Sequence, residues 1–205
     1  MHKEILSATQ AGLLPLVKSF KREFYLVGGT AIALYIGHRR SIDFDLFKYS
    51  RLNHKNILLK INKFPYPYAV TRRVAEQMNL TLNEVKITFF EFPFQVESPC
   101  EFEKIIRLPE LLDLAAMKAY ALGRRSKWKD YVDLYFLLKD HFNIHQISTR
   151  ASQIFDQLFL EKLFRAQLSF FADIDYSEPV EFIGKPVPEK EIMEFLIEKA
   201  IDLDN

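Results

Sequence analysis

The apolar positions of this chain change period several times, and each change marks an element. From residue 3 to 20, Ile5, Leu6, Leu13, Leu14, Leu16, Val17 and Phe20 fit one or two short helices around Pro15. Phe24 to Val27 is an apolar run of strand length. Thr30 is then expected to cap a helix from Ala31 to Ile36, with Gly37 as its stop. A second strand follows from Ser41 to Leu46. Its side chains alternate, so Ile42, Phe44 and Leu46 are expected on one face and Ser41, Asp43 and Asp45 on the other. Asn53 to Phe64 fits an amphipathic helix with Ile57, Leu58 and Ile61 on one side, ended by Pro65 and Pro67.

The period then turns to two. Tyr68 to Thr71, Met78 to Leu82 and Val85 to Phe90 read as strands, the last two joined by a turn at Asn83-Glu84. Pro109 opens a helix from Glu110 to Leu122, and Ser126 is expected to cap another from Lys127 to Lys139. Residues 151–171 and 189–202 also read as helical, joined by the proline-containing stretch Glu178 to Pro188. The pattern predicts an α/β fold of the α+β kind: a mixed sheet with flanking helices, then a helical region. The division is expected near residue 100, giving an α/β region over 1–100 and a helical region over 101–205.

Composition narrows the partners. The chain has 205 residues, 49% of them hydrophobic and 27% charged, an ordinary globular balance. Its 19 phenylalanines predict an aromatic core. Net charge is +1, so no global field draws the protein to nucleic acid or an anionic membrane. Cys100 is the one cysteine, which rules out an intramolecular disulfide and fits a reducing cytoplasm. Cys100 has no base beside it in sequence and is not expected to be a nucleophile. No long apolar run opens the chain, so neither a signal peptide nor a membrane span is expected.

The candidate chemistry gathers at two places. Asp43 and Asp45, on one face of a strand, stand roughly 7 Å apart along the backbone. Like charges this close repel unless a cation sits between them. Mg²⁺ suits such a pair, because it takes oxygen ligands and often only one or two carboxylates plus phosphates. The Gly28-Gly29-Thr30 turn lies just upstream, where backbone N–H groups at a helix start can hold phosphates. Taken singly, a Gly-Gly pair is more often a plain turn, and an Asp-x-Asp is often a solvated strand face. The second place is the helical region. Lys118 stands among Leu114, Ala115 and Ala121, either snorkelling from a core or reaching a ligand. Arg124, Arg125, Lys127 and Lys129 make a dense basic run around Trp128, which is either a base-stacking ring or core packing. Asp130 and Asp133 are three apart on one helix.

The stretch Gly28 to Phe47, GGTAIALYIGHRRSIDFDLF, resembles the nucleotidyltransferase superfamily, whose signature is Gly-Gly or Gly-Ser, a short helix, then Asp-x-Asp. A second stretch narrows the resemblance to the AbiEii/AbiGii toxin-type family: Lys118 on one helix, Arg125, then Lys129-Asp130-Tyr131-Val132-Asp133-Leu134. The likeness spans most of residues 20–140.

It implies a metal-dependent transfer of NMP from an NTP to an acceptor, with tRNA or another RNA favoured. The chain would then be the toxin of a toxin–antitoxin or phage-defence pair in the cytoplasm, with a cognate antitoxin as partner. Asp43 and Asp45 would hold Mg²⁺, or Mn²⁺, and Asp43, Asp45, Lys118 and Asp130 would form the catalytic set. Gly28, Gly29, Thr30, Arg39, Ser41 and Lys118 would bind the nucleotide, and the helical region would complete the cleft. The superfamily's third carboxylate is not evident. Its expected position falls at Thr88, with Glu84, Glu91 and Asp130 as substitutes. The alternative is therefore a degenerate fold that binds nucleotide or RNA without turnover.

Overall fold

The computed structural model describes residues 1–202, which form two compact units, Met1–Glu110 and the chain from Leu111 onward. In the first, a 3-10 turn leads into α1 (Ala8–Lys18). Ser7 and Gln10 cap α1 reciprocally, each side chain accepting the other's backbone N–H, which satisfies two donors at the helix start. Pro15 lies inside α1 rather than between two helices. Then come β1 (Tyr25–Val27), α2 (Gly28–Ile36), β2 (Phe44–Lys48) and α3 (His54–Ile61). A three-strand meander follows: β3 (Tyr68–Val74), β4 (Gln77–Leu82) and β5 (Val85–Glu91).

Two further strands, β6 (Cys100–Phe102) and β7 (Ile106–Leu108), return to the sheet. The pattern of apolar residues does not predict them, because three residues are too few to display a period of two. They carry the sheet past residue 100, so the boundary between the units falls between Glu110 and Leu111. The seven strands run in the order β3-β4-β5-β2-β1-β7-β6. β2 is antiparallel to β1 and parallel to β5, so the acidic strand lies inside a mixed sheet with a partner on each side. One face is the core: Phe44, Leu46, Met78, Leu80, Ile87 and Phe89 are buried. The rings of Phe20 and Phe24 meet Phe89 with centroids 4.8 and 5.2 Å away, a spacing at which aromatic pairs are favourable.

The second unit is helical: α4 (Leu111–Leu122), α5 (Trp128–Asp140), α6 (Ile144–Phe155), α7 (Glu161–Leu168) and α8 (Glu189–Ile201). The expected helix over 151–171 is thus two helices, the first starting earlier, at a capping box made by Asn143 and Gln146. Ser126 does not cap α5. Its hydroxyl donates to the Asp173 carboxylate, 2.8 Å away, and Lys127 occupies the cap position without a side-chain bond. No helix among the described residues is long and apolar enough to cross a membrane.

Candidate active site

The turn between β1 and α2 is tighter than the sequence suggests. α2 begins at Gly28 itself, with Val27 at the cap position. Thr30 therefore lies within the first turn of α2 and is not its cap. Its hydroxyl donates instead to Ser41 Oγ (2.9 Å) and to the backbone carbonyl of Asp43, a second and shorter contact. These bonds tie the helix start to the segment that delivers the acids.

Gly28 has φ of 73°, a conformation that costs a residue with a Cβ roughly 1–2 kcal/mol. A Cβ there would also overlap Asp45 Oδ2, so the carboxylate lies directly against the glycine. A Cβ on Gly29 would overlap the Arg39 guanidinium and come within 3.3 Å of Ser41 Oγ. Arg39 and Ser41 are buried. Gly28, Gly29, Thr30, Arg39, Ser41, Asp43 and Asp45 are thus one compact group.

Asp45 is half-buried in β2. Asp43, also half-buried, immediately precedes the strand. The strand starts at Phe44, so alternation does not extend back to Ile42, which is 67% exposed instead of joining Phe44 and Leu46 in the core. Across the sheet Asp45 stands level with Thr88, which is buried. The place where a third carboxylate is expected holds a hydroxyl. Glu91 pairs in register with Lys48 and so faces away from Asp45. Glu84 sits in the β4–β5 turn at φ of 68°, about 13 Å along the strand from Thr88. Neither substitutes. Among the described residues no three or more His, Cys, Asp or Glu side chains gather as a metal centre would require. Two half-buried carboxylates still make a hard oxygen donor set suited to Mg²⁺, which draws further ligands from water and phosphate.

In the second unit Lys118 neither snorkels nor waits at a surface. Its ammonium lies 2.7 Å from Asp130 Oδ1 and 2.9 Å from Asp133 Oδ2. The three side chains are 3%, 0% and 0% exposed. Asp130 also accepts from Arg125: Nε bonds Oδ2 at 2.8 Å and Nη2 bonds Oδ1 at 3.3 Å. Burial works against the Asp130 charge, yet Lys118 and Arg125 prevail and hold its carboxyl below the usual range. Both Asp130 oxygens accept hydrogen bonds within this unit, Oδ1 from Lys118 and Arg125 and Oδ2 from Arg125.

The basic run is likewise engaged. Lys127 and Lys129 both pair with Glu178, a partner too distant in sequence to be foreseen. Arg124 stacks on Tyr120, 3.4 Å from the ring centroid, and donates to the Leu158 carbonyl. Trp128 is core packing: it is buried, with Tyr131 and Tyr176 rings 6.3 and 5.6 Å away. Cys100 is half-buried in β6.

The mixed sheet thus carries a glycine turn beside two carboxylates, Asp45 on an inner strand and Asp43 just before it. The chain belongs to the family described as "Nucleotidyl transferase AbiEii toxin, Type IV TA system", whose sequence model matches residues 16–203. An uncharacterized protein of Aquifex aeolicus is 31% identical over 126 residues, 58% of this chain and 59% of that relative. The aligned stretch thus spans about three fifths of the relative's length. Among solved structures, MenT4, a nucleotidyltransferase toxin of Mycobacterium tuberculosis, superposes with a TM-score of 0.63 at 14% identity. That match covers 96% of this chain and 84% of MenT4. JHP933 of Helicobacter pylori gives 0.58 at 18% identity, over 95% and 91% of the two chains. At these identities the structural matches establish the fold.

Proposed function

We propose that the protein transfers a nucleoside monophosphate from an NTP to an RNA hydroxyl, tRNA being the favoured acceptor, as the toxin of a type IV toxin–antitoxin pair in the cytoplasm. A cognate antitoxin would be its protein partner. The observation that carries this reading is the Asp45 carboxylate seated against Gly28 at the start of α2. It places an acidic group beside backbone donors that favour phosphate. In the reaction the acceptor oxygen forms a bond to the α-phosphorus, the bond to the β-phosphate breaks, and pyrophosphate leaves.

Gly28, Gly29 and the Thr30 backbone would cradle the phosphates. Arg39, fixed beside Gly29, would add positive charge where the transition state gains negative charge. Ser41, bonded to Thr30, would hold the turn in shape. Asp43 and Asp45 would bind the divalent cation, Mg²⁺ or Mn²⁺, which supplies Lewis-acid activation of the phosphate. Lys118 and Asp130 belong to the proposed catalytic set on the order of the motifs.

A second reading, nucleotide or RNA binding without turnover, is favoured by the hydroxyl of Thr88 level with Asp45. Incubation with Mg²⁺, each labelled NTP and total tRNA separates the two. Wild type should label RNA, and Asp43→Asn or Asp45→Asn should lower the rate by roughly 10³-fold while the fold persists. Labelling undiminished in both variants would refute the assignment. No labelling by wild type with Mg²⁺ or Mn²⁺ would leave the binding reading.

A further inference from the structure

The sheet face that carries Asp45 continues outward over β5, β4 and β3, and its composition there is unusual. Directly paired residues share a face, so Asp45, Thr88, Asn79 and Arg72 form one row running outward from the carboxylate. Phe47 and Phe90 lie in the next row, with ring centroids 5.0 Å apart. Lys86, paired with Thr81, lies on the other side of the Asp45 row.

Arg72 and Lys86 are exposed, and Asn79, Thr81, Phe47 and Phe90 are half-buried. None of the nine positions that β3, β4 and β5 place on this face is an acid; the one acid of these strands, Glu91, lies on the reverse. In a chain with 28 basic and 27 acidic residues, that segregation gives the strip a positive sign. The reverse face is apolar core, whereas Arg72 and Lys86 on this face are exposed. From Asp45 to Arg72 the strip spans about 14 Å at ordinary strand spacing.

We infer that this strip is the track for the single-stranded end of a nucleic-acid acceptor. Arg72 and Lys86 hold backbone phosphates, Asn79 and Thr81 bond sugars or base edges, and the half-buried Phe90 ring, braced at a tilt by Phe47 and Phe92, stacks a base near the reacting hydroxyl. Flat rings beside cations are what single strands require, because every base has a face to stack and every nucleotide a phosphate to neutralise. The inference rests on the transferase reading for the identity of the acceptor, but its test does not depend on turnover.

The test is equilibrium binding by fluorescence anisotropy, using a labelled single-stranded oligoribonucleotide of about 12 nucleotides with the full chain, across a salt series and without NTP. Arg72→Glu combined with Lys86→Glu should weaken binding by at least about tenfold. It should also flatten the slope of log K against log salt by about 1.4, at ~0.7 for each phosphate no longer neutralised. Phe90→Leu should weaken binding about fivefold with the slope unchanged. Lys18→Glu is the control: it lies on α1, away from the strip, and should behave as wild type.

The track is overturned if the wild-type chain does not bind the strand. It is equally overturned if the double reversal leaves affinity and slope unchanged. Failure of nucleotidyl transfer, with the strand still released by the double reversal, would refute the transferase reading and leave the track standing.

Discussion

Lys118→Met is the substitution whose consequence the structure sets most sharply. It keeps most of the unbranched apolar stem of the side chain and removes the charge between two buried carboxylates. Deleting one partner of a buried ion pair costs about 3–5 kcal/mol, since the other charge stays desolvated. Arg125 still bonds Asp130, which puts the cost near the lower end, about 3 kcal/mol. At about 2–4 °C per kcal/mol for a chain of this size, the melting temperature should fall by about 6–12 °C at pH 7.

The pH dependence has a definite sign. The wild-type Asp130 carboxyl is held below its usual range, so its contribution is present above the unfolded value and is lost as pH falls through the folded one. Without Lys118 the buried Asp130 carboxylate protonates more readily, so the variant's deficit should shrink as pH drops toward 4. Thermal unfolding followed by circular dichroism at pH 7, 5 and 4 measures this. Adding Asp133→Asn to Lys118→Met should restore part of the loss. A Lys118→Met protein melting within about 2 °C of wild type at pH 7 would refute the structural role of the network.

Three other outcomes follow from the geometry. Gly28→Ala should cost about 1–2 kcal/mol of stability from backbone strain, and by displacing the Asp45 carboxylate it should slow transfer by roughly 10²-fold; unchanged kinetics would mean the carboxylate position is not critical. Thr88→Asp places a third acid level with Asp45, so the metal-free protein should melt lower and gain more from added Mg²⁺ than wild type; equal thermal shifts would show that the position does not reach the metal. For Glu178, burial opposes the charge, but hydrogen bonds from Lys127 and Lys129 pull the carboxyl down to about 2. Its stabilisation, about 1 kcal/mol once solvent screening is allowed for, is therefore present above the unfolded value and lost as pH falls toward 2, and the melting gap between wild type and Glu178→Gln should close over that window.

The grouping of residues in the first unit was largely legible because it is local. Gly28, Gly29, Asp43 and Asp45 lie within eighteen positions of one another, and the resemblance put the third-carboxylate position at Thr88, which the sheet sets level with Asp45. Thr30 and Ser126 misled for one reason: a hydroxyl near a helix start suggests a cap, and nothing local reveals a better acceptor in Ser41, Asp43 or Asp173. Long-range partners were invisible. The bonds from Lys127 and Lys129 to Glu178, and the return of β6 and β7 to the sheet, depend on contacts that no window of sequence contains. Lys118 was legible as an anomaly on an apolar helix, but two carboxylates on the next helix, rather than solvent, answer it.

The placement of β1 between β2 and β7 has a consequence for how the protein comes into being. Tyr25 pairs with Phe47 nearby in the chain but with Arg107 far along it. A nascent chain therefore carries its glycine turn and both acids well before the strand that closes the other edge of β1 has been made. Pairings of such long reach form late, because loop closure is costly until they are in place. Until then β1 offers an open edge to other chains. An interrupted or prematurely released chain would thus hold the glycine turn and its two acids on an incomplete sheet, prone to aggregate.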